Sequence, residues 1–178
     1  MTSSGGSHIH IALCTYQAER FLVPQLDSIL AQSHRNFSIN IFDDRSEDST
    51  LSIIARYMQM HANIYLRINS SRLGFVKNFE QAIQALSTVE GYIALCDQDD
   101  LWHLDKLSIS LSELKSLERN HPEKPALVHS DLRMINETDH CIHDSFFDHK
   151  RLSLTAHRSL AKILGYNGVM GNTLLMNN

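Results

Sequence analysis

The chain has no segment of the kind that crosses a membrane. No apolar run approaches the ~18–20 residues a spanning helix needs. Residues 1–7 are polar and Gly/Ser-rich, without the basic and apolar regions of a signal peptide. There is no basic stripe either: lysine and arginine are scattered and the net charge is −4 with histidine neutral, which argues against a nucleic-acid partner. The three cysteines are odd in number and have no CxxC spacing, and the eleven histidines include no HxxxH or HExxH pair, so a Cys- or His-based metal site is not expected. A GxxxxGK[ST] phosphate loop, a GxGxxG fingerprint and a GxSxG elbow are all absent. Internal repeats and low-complexity tracts are missing as well.

What is present is a single core. With 178 residues, 43% of them hydrophobic, the chain can bury one sizeable interior. The expected organisation is a flexible start at residues 1–8 and one domain over residues 9–178. Cys14 and Cys96 each close an apolar run and read as small buried hydrophobes in a reducing compartment. The expected location is cytoplasmic, with the inner face of the cytoplasmic membrane as the alternative.

Apolar runs at residues 9–14, 38–42, 64–68, 92–96 and 126–129 predict five strands. Between them lie helical spacings. Leu22, Leu26, Ile29 and Leu30 mark a helix over residues 19–33, in which Pro24 falls near the first turn. Leu51, Ile54, Ala55 and Met58 mark a second, capped by Asp48 or Ser49. Val76, Phe79, Ile83 and Leu86 mark a third, and Leu104, Leu107, Leu111 and Leu114 a fourth. Residues 136–150 read as a polar loop, residues 153–164 as helical and residues 173–176 as another strand. Strands alternating with amphipathic helices predict right-handed βαβ units and a mostly parallel sheet, whose ligands bind beyond the carboxyl ends of the strands.

Polar clusters sit at just those ends. The run Tyr92-Ile93-Ala94-Leu95-Cys96 breaks into Asp97-Gln98-Asp99-Asp100, three carboxylates within four positions. Like charges crowded at a strand end are unfavourable unless a cation joins them, and oxygen-only ligands suit Mg²⁺ or Mn²⁺. A solvated acidic turn is the plain alternative. A calcium loop is not supported, since Trp102 stands where the turn glycine would be and Ser108 where the bidentate glutamate would be. Asp43-Asp44 closes the second strand and Thr15-Tyr16 follows the first. A carboxylate at the second place can accept a pyrimidine ring N–H, and the Tyr16 ring offers a stacking face. Helix capping and an ordinary half-buried tyrosine are the simpler alternatives.

These segments also resemble a family. Ala12 to Gln17, Phe42 to Thr50, Asn69 through Gly74 to Asn78-Phe79, and Asp97 to Trp102 are similar to the glycosyltransferase family 2 pattern, in order and spacing, and closest to its bacterial rhamnosyltransferase-like branch. The resemblance covers roughly residues 9–177. It implies an α/β GT-A fold, like that of spore-coat-polysaccharide-synthesis enzymes, a UDP- or dTDP-activated sugar donor such as dTDP-rhamnose, a divalent metal, and transfer with inversion to a saccharide or lipid-linked acceptor in cell-surface polysaccharide synthesis.

Position by position, the resemblance places Thr15 and Tyr16 at the nucleobase and Asp43 and Asp44 at the acidic pair that reads it. Gly74, Lys77 and Asn78 fall in the nucleotide pocket. Asp97 falls on the ribose side, sharing the metal with Asp99. Gly171, Asn172 and Thr173 border the acceptor. The family's catalytic base is expected beyond Asn178, and Asp131 is the available carboxylate inside the chain. Two other classes remain at this stage. One is a non-catalytic nucleotide-diphosphate-binding module. The other is a receiver-like phosphoacceptor, disfavoured because Thr15 and Asn69 occupy the places where that fold carries its aspartates.

Overall fold

The computed structural model describes residues 7–152 and 168–177. The elements run β1 (Ile9–Thr15), α1 (Leu22–Leu30), β2 (Phe37–Asp43), α2 (Thr50–Met60), β3 (Ile64–Ile68), α3 (Phe75–Leu86), β4 (Tyr92–Cys96), α4 (Lys106–Asn120), β5 (Leu127–Val128), β6 (Met134–Ile135), β7 (Cys141–His143), α5 (Phe146–Lys150), a 3-10 turn (Gly171–Thr173) and β8 (Leu175–Asn177). The strands form a six-stranded sheet in the order β3-β2-β1-β4-β8-β5 and a separate β6-β7 hairpin. Strands β1 to β4 pair in parallel, and β8 inserts antiparallel between β4 and β5. This is the expected mostly parallel α/β sheet. Its continuous apolar strands follow from coverage of both faces.

Successive side chains along β1 point to opposite layers, and those two apart share one. Ile9, Ile11 and Leu13 pack with Leu22, Leu26 and Ile29 of α1, Ile54 and Tyr57 of α2, and Leu107, Leu111 and Leu114 of α4. Ala12 and Cys14 join Phe42, Ile93 and Leu95 beneath Ala82 and Leu86 of α3. Gly91 enters β4 at φ 140°, where a Cβ would come within 2.7 Å of the His8 carbonyl oxygen, so only glycine fits there.

Several expectations need correction. The first helix is shorter than residues 19–33, spanning Leu22–Leu30; before it the Ala18 and Glu19 amides donate to Thr50 Oγ1 and Asp48 Oδ2, and after it the Ser33 amide donates to the Leu104 carbonyl. In α2 the inward face is Thr50, Ile54 and Tyr57, with Ala55 and Met58 exposed. Thr50 is pinned to Ala18, and Tyr57 donates to Asp27 at 2.6 Å, which rolls the helix. Asp48 Oδ1 accepts the Thr50 amide, so of the two cap candidates it supplies the side-chain bond.

Val76 faces solvent; the buried residues of α3 are Asn78, Ala82 and Leu86, because the Asn78 side chain donates to the Phe42 carbonyl. Leu104 is exposed and lies before α4. The fifth strand keeps only Leu127–Val128. The stretch read as a loop over residues 136–150 carries β7 and α5, and Phe147 is buried. The last strand is shifted to Leu175–Asn177. The helix expected at residues 153–164, like residues 1–6, lies outside the described residues. No helix among those described is long and apolar enough to cross a membrane.

Candidate functional site

Three strand ends meet. The Asp44 amide donates to the Thr15 carbonyl and the Asn69 amide to the Asp43 carbonyl, so the exits of β1, β2 and β3 are stitched side by side. Gln17, at φ 51°, turns the chain after β1, and its side-chain oxygen accepts the Glu47 and Asp48 amides. Gln98, after β4, accepts the Tyr16 amide at 2.7 Å and donates to the Tyr16 carbonyl, fixing the backbone that presents the tyrosine.

The trough above these ends has two connected parts. One, of about 220 Å³, is lined by Cys14, Thr15, Tyr16, Asp44, Arg72, Gly74, Phe75, Asn78 and Gln98. The other, of about 290 Å³, is lined by Cys14, Phe75, Asp97, Gln98 and Asp99. The two parts share Cys14, Phe75 and Gln98 and so adjoin along one polar cleft. Burial, then the Asp97 and Asp44 charges, pushes the Cys14 thiol up, so it is a neutral wall.

The two adjacent aspartates divide their work. Asp43 is fully buried and lines neither part of the cleft. It accepts from Thr15 Oγ1 (2.7 Å), the Ser46 amide (2.8 Å) and Ser46 Oγ (2.7 Å), a closed set that braces the turn after β2. Asp44 lines the cleft. Its Oδ1 accepts from Leu73 N and Asn69 Nδ2, while among the described residues Oδ2 accepts from Gly74 N alone, and a carboxylate oxygen can accept a second bond. Burial pushes the Asp44 carboxyl up, but the Leu73 amide, the Asn69 side chain, the Gly74 amide and the Arg72 guanidinium outweigh it and hold it below the usual carboxylate value. Gly74 sits at φ 82°, where it turns its amide into Asp44 and opens α3.

Tyr16 is half-buried, and the Arg72 guanidinium lies 4.0 Å from its ring centroid. Neither Arg72 nor Phe75 was singled out in the sequence. Phe75 is 69% exposed, borders both parts of the cleft and meets Phe79 edge-on. Lys77 is exposed and lines neither part.

At the acidic turn, Asp97 and Asp99 face the second part of the cleft and Asp100 does not. Burial, with the charges of Asp100 and Asp99, raises the Asp97 carboxyl to about 6, while Lys106 opposes the rise. Among the described residues no three Asp, Glu, His or Cys side chains form a ready metal cage. The crowded pair at the cleft wall nevertheless suits a divalent ion that takes its other ligands from phosphate and water. The 171–173 segment packs behind this turn: Asn172 donates to Asp100 Oδ2 and Thr173 is buried. Asp131 is engaged elsewhere. Its carboxylate accepts from Ser145 Oγ and the Phe147 amide at the start of α5, and from the neighbouring Leu132 amide. Burial raises its pKa, but these bonds outweigh burial and lower it, which makes a poor base.

This is a GT-A architecture with its polar cleft at the carboxyl ends of the parallel strands. The sequence profile described as Glycosyl transferase family 2 matches residues 10–121, more than half of the chain, and the protein belongs to that family. The chain is 35% identical over 99 residues to the dTDP-rhamnosyl transferase RfbG of Shigella flexneri, covering 53% of this chain and 34% of the relative. It is 26% identical over 129 residues to the amylovoran biosynthesis glycosyltransferase AmsB of Erwinia amylovora, covering 71% and 42%. The chain thus spans well under half the length of these relatives.

Among solved structures, TarS residues 1–349 of S. aureus in complex with UDP-GlcNAc is similar at a TM-score of 0.57 and 20% identity, over 72% of this chain and 35% of that one. The mannosyltransferase PcManGT of Pyrobaculum calidifontis in complex with GDP-Man and Mn²⁺ is similar at 0.53 and 22%, over 60% and 32%. At these identities the likeness carries the fold.

Proposed function

We propose that the cleft holds the nucleotide diphosphate of a UDP- or dTDP-activated sugar, and that the chain is the donor-binding part of an inverting glycosyltransferase. The acceptor is a saccharide or a lipid-linked saccharide of a cell-surface polysaccharide. The observation that carries this reading is Asp44, a carboxylate that lines a cleft also presenting Tyr16 and whose Oδ2 accepts, among the described residues, a single hydrogen bond. A uracil or thymine ring N–H satisfies that oxygen, and the base stacks on Tyr16 once the exposed Arg72 side chain shifts or along the face it leaves open. Asn78, whose side chain bonds to Asn69 and the Phe42 carbonyl, holds the wall opposite. The diphosphate extends towards Asp97 and Asp99. These two hold Mn²⁺ or Mg²⁺, which supplies neutralisation of the leaving diphosphate. The name of RfbG supports a thymidine-linked donor, and the TarS complex supports a uridine-linked one.

In the transfer, an acceptor hydroxyl attacks the anomeric carbon opposite the diphosphate. The glycosidic C–O bond forms as the bond to diphosphate breaks, and a base takes the hydroxyl proton. The cleft-facing carboxylates Asp44, Asp97 and Asp99 are all committed to binding, and Asp131 caps α5, so no described carboxylate is assigned as that base. The same fact favours a second reading, a module that binds the nucleotide without turning it over. Donor binding with no sugar release would single that reading out.

The test of the binding role is base preference. UDP and dTDP should bind at least about tenfold more tightly than CDP, whose ring nitrogen carries no hydrogen and leaves the Asp44 carboxylate unmatched. Equal affinities for UDP and CDP would remove Asp44 from the role.

A further inference from the structure

We propose that Lys106 is a positioning residue of the donor site. Its ammonium is the built-in counter-cation of the acidic turn at residues 97–100, and its bond to Asn172 fastens that turn to the 171–173 segment. The inference rests on the reading of the cleft as a nucleotide-diphosphate site. Lys106 opens α4, an end at which the helix dipole disfavours a cation. It is held there by other groups. Nζ donates to the Asn172 carbonyl at 2.7 Å and lies 4.6 Å from the centroid of the buried Trp102 ring. Asn172 in turn donates from its side chain to Asp100 Oδ2. Asp97 and Asp100 repel one another, and both are attracted to Lys106. The contact ion pairs among the described residues, Arg20–Glu137 and Arg133–Asp144, lie on the surface away from this turn.

The chain Lys106–Asn172–Asp100 therefore joins three segments far apart in sequence: the first turn of α4, the acidic turn and the 3-10 turn before β8. Crowded carboxylates at a strand end spread apart unless a positive charge holds them. Lys106 supplies that charge with no metal bound, so the turn is preformed. Without it the turn is more negative, which strengthens its pull on a divalent cation, while the 171–173 segment loses its anchor. The two consequences run in opposite directions, and that separates a positioning role from a general loss of stability.

Lys106→Met and the charge-conserving Lys106→Arg test this. Mn²⁺ binding without nucleotide is measured by electron paramagnetic resonance, and amide exchange is measured at Thr173 and Leu174. Those amides donate to the Met170 and Gly171 carbonyls. In Lys106→Met, Mn²⁺ should bind about tenfold more tightly, and the two amides should exchange at least about tenfold faster, while β1 amides keep their wild-type rates. Lys106→Arg should resemble wild type in both. Should Lys106→Met fail to fold, Lys106→Gln carries the same readouts. Unchanged exchange at Thr173 and Leu174, or uniform acceleration throughout the sheet, would overturn the proposal. If Mn²⁺ binds neither wild type nor variant, the metal assignment falls and the exchange result alone decides the role of Lys106.

Discussion

Replacing Asp44 by Asn changes one atom and disturbs two functions. The carboxylate accepts the Leu73 and Gly74 amides at 2.7 Å each and the Asn69 side chain at 2.9 Å, at 3% exposure. An amide keeps one oxygen, so a buried backbone N–H is left facing an NH₂ group. An unpartnered buried donor costs about 1–3 kcal/mol, and the surviving bonds lose their charge assistance, so the total is about 2–4 kcal/mol. A domain of ordinary stability, about 5–15 kcal/mol, stays folded.

The pH dependence has a defined sign. The folded Asp44 pKa lies below the usual carboxylate value, so its stabilisation is complete above about pH 3.9, the unfolded value. It is lost as the pH falls through the folded value. Urea unfolding of wild type and Asp44→Asn at about pH 7 and about pH 3 should show the gap narrowing with acid. A difference under about 0.5 kcal/mol at neutral pH, well below that expected for an unpartnered buried donor, would refute the reasoning, as would a gap that stays constant into acid.

Other outcomes follow from the same geometry. Asp43 does not line the cleft, and Asp43→Asn, which disrupts its closed set of three bonds from Thr15 and Ser46, should lower unfolding stability by about 2–4 kcal/mol. Calorimetry should find its UDP affinity reduced far less than that of Asp44→Asn. Asp131→Asn should loosen α5 at a cost of about 1–2 kcal/mol and leave UDP affinity unchanged; a large loss of nucleotide binding would return Asp131 to the site.

The parallel layer was legible because its strands are buried on both faces and so read as unbroken apolar runs, and because the charged breaks at Asp43 and Asp97 mark their ends. The helix faces were less so. Tyr57 turns inward because its hydroxyl meets Asp27, and Asn78 turns inward because it bonds to Phe42, two polar anchors that an apolar periodicity overlooks. The antiparallel entry of β8 is a pairing across a long sequence separation, and nothing local in three residues announces it. Within the cleft, residue types pointed to Asp44, Tyr16 and Asp97, but the division between Asp43 and Asp44 depends on which oxygen meets which donor. Gln98, between the carboxylates, clamps Tyr16 through a pairing across a long sequence separation that no local pattern announces. Arg72 lies over the ring of Tyr16 and Lys106 bonds to Asn172, each partner contributed from a distant segment, which becomes visible only after folding.

The most direct test of the central claim is a calorimetric titration of UDP into wild type and Asp99→Asn, each with and without Mn²⁺. Asp99 faces the cleft beside Asp97, so wild type should bind UDP more tightly with the metal present. Asp99→Asn should lose that metal-dependent gain and keep its fold, since removing one charge from the acidic turn relieves repulsion. Equal UDP affinity in the two proteins with Mn²⁺ present would contradict the account.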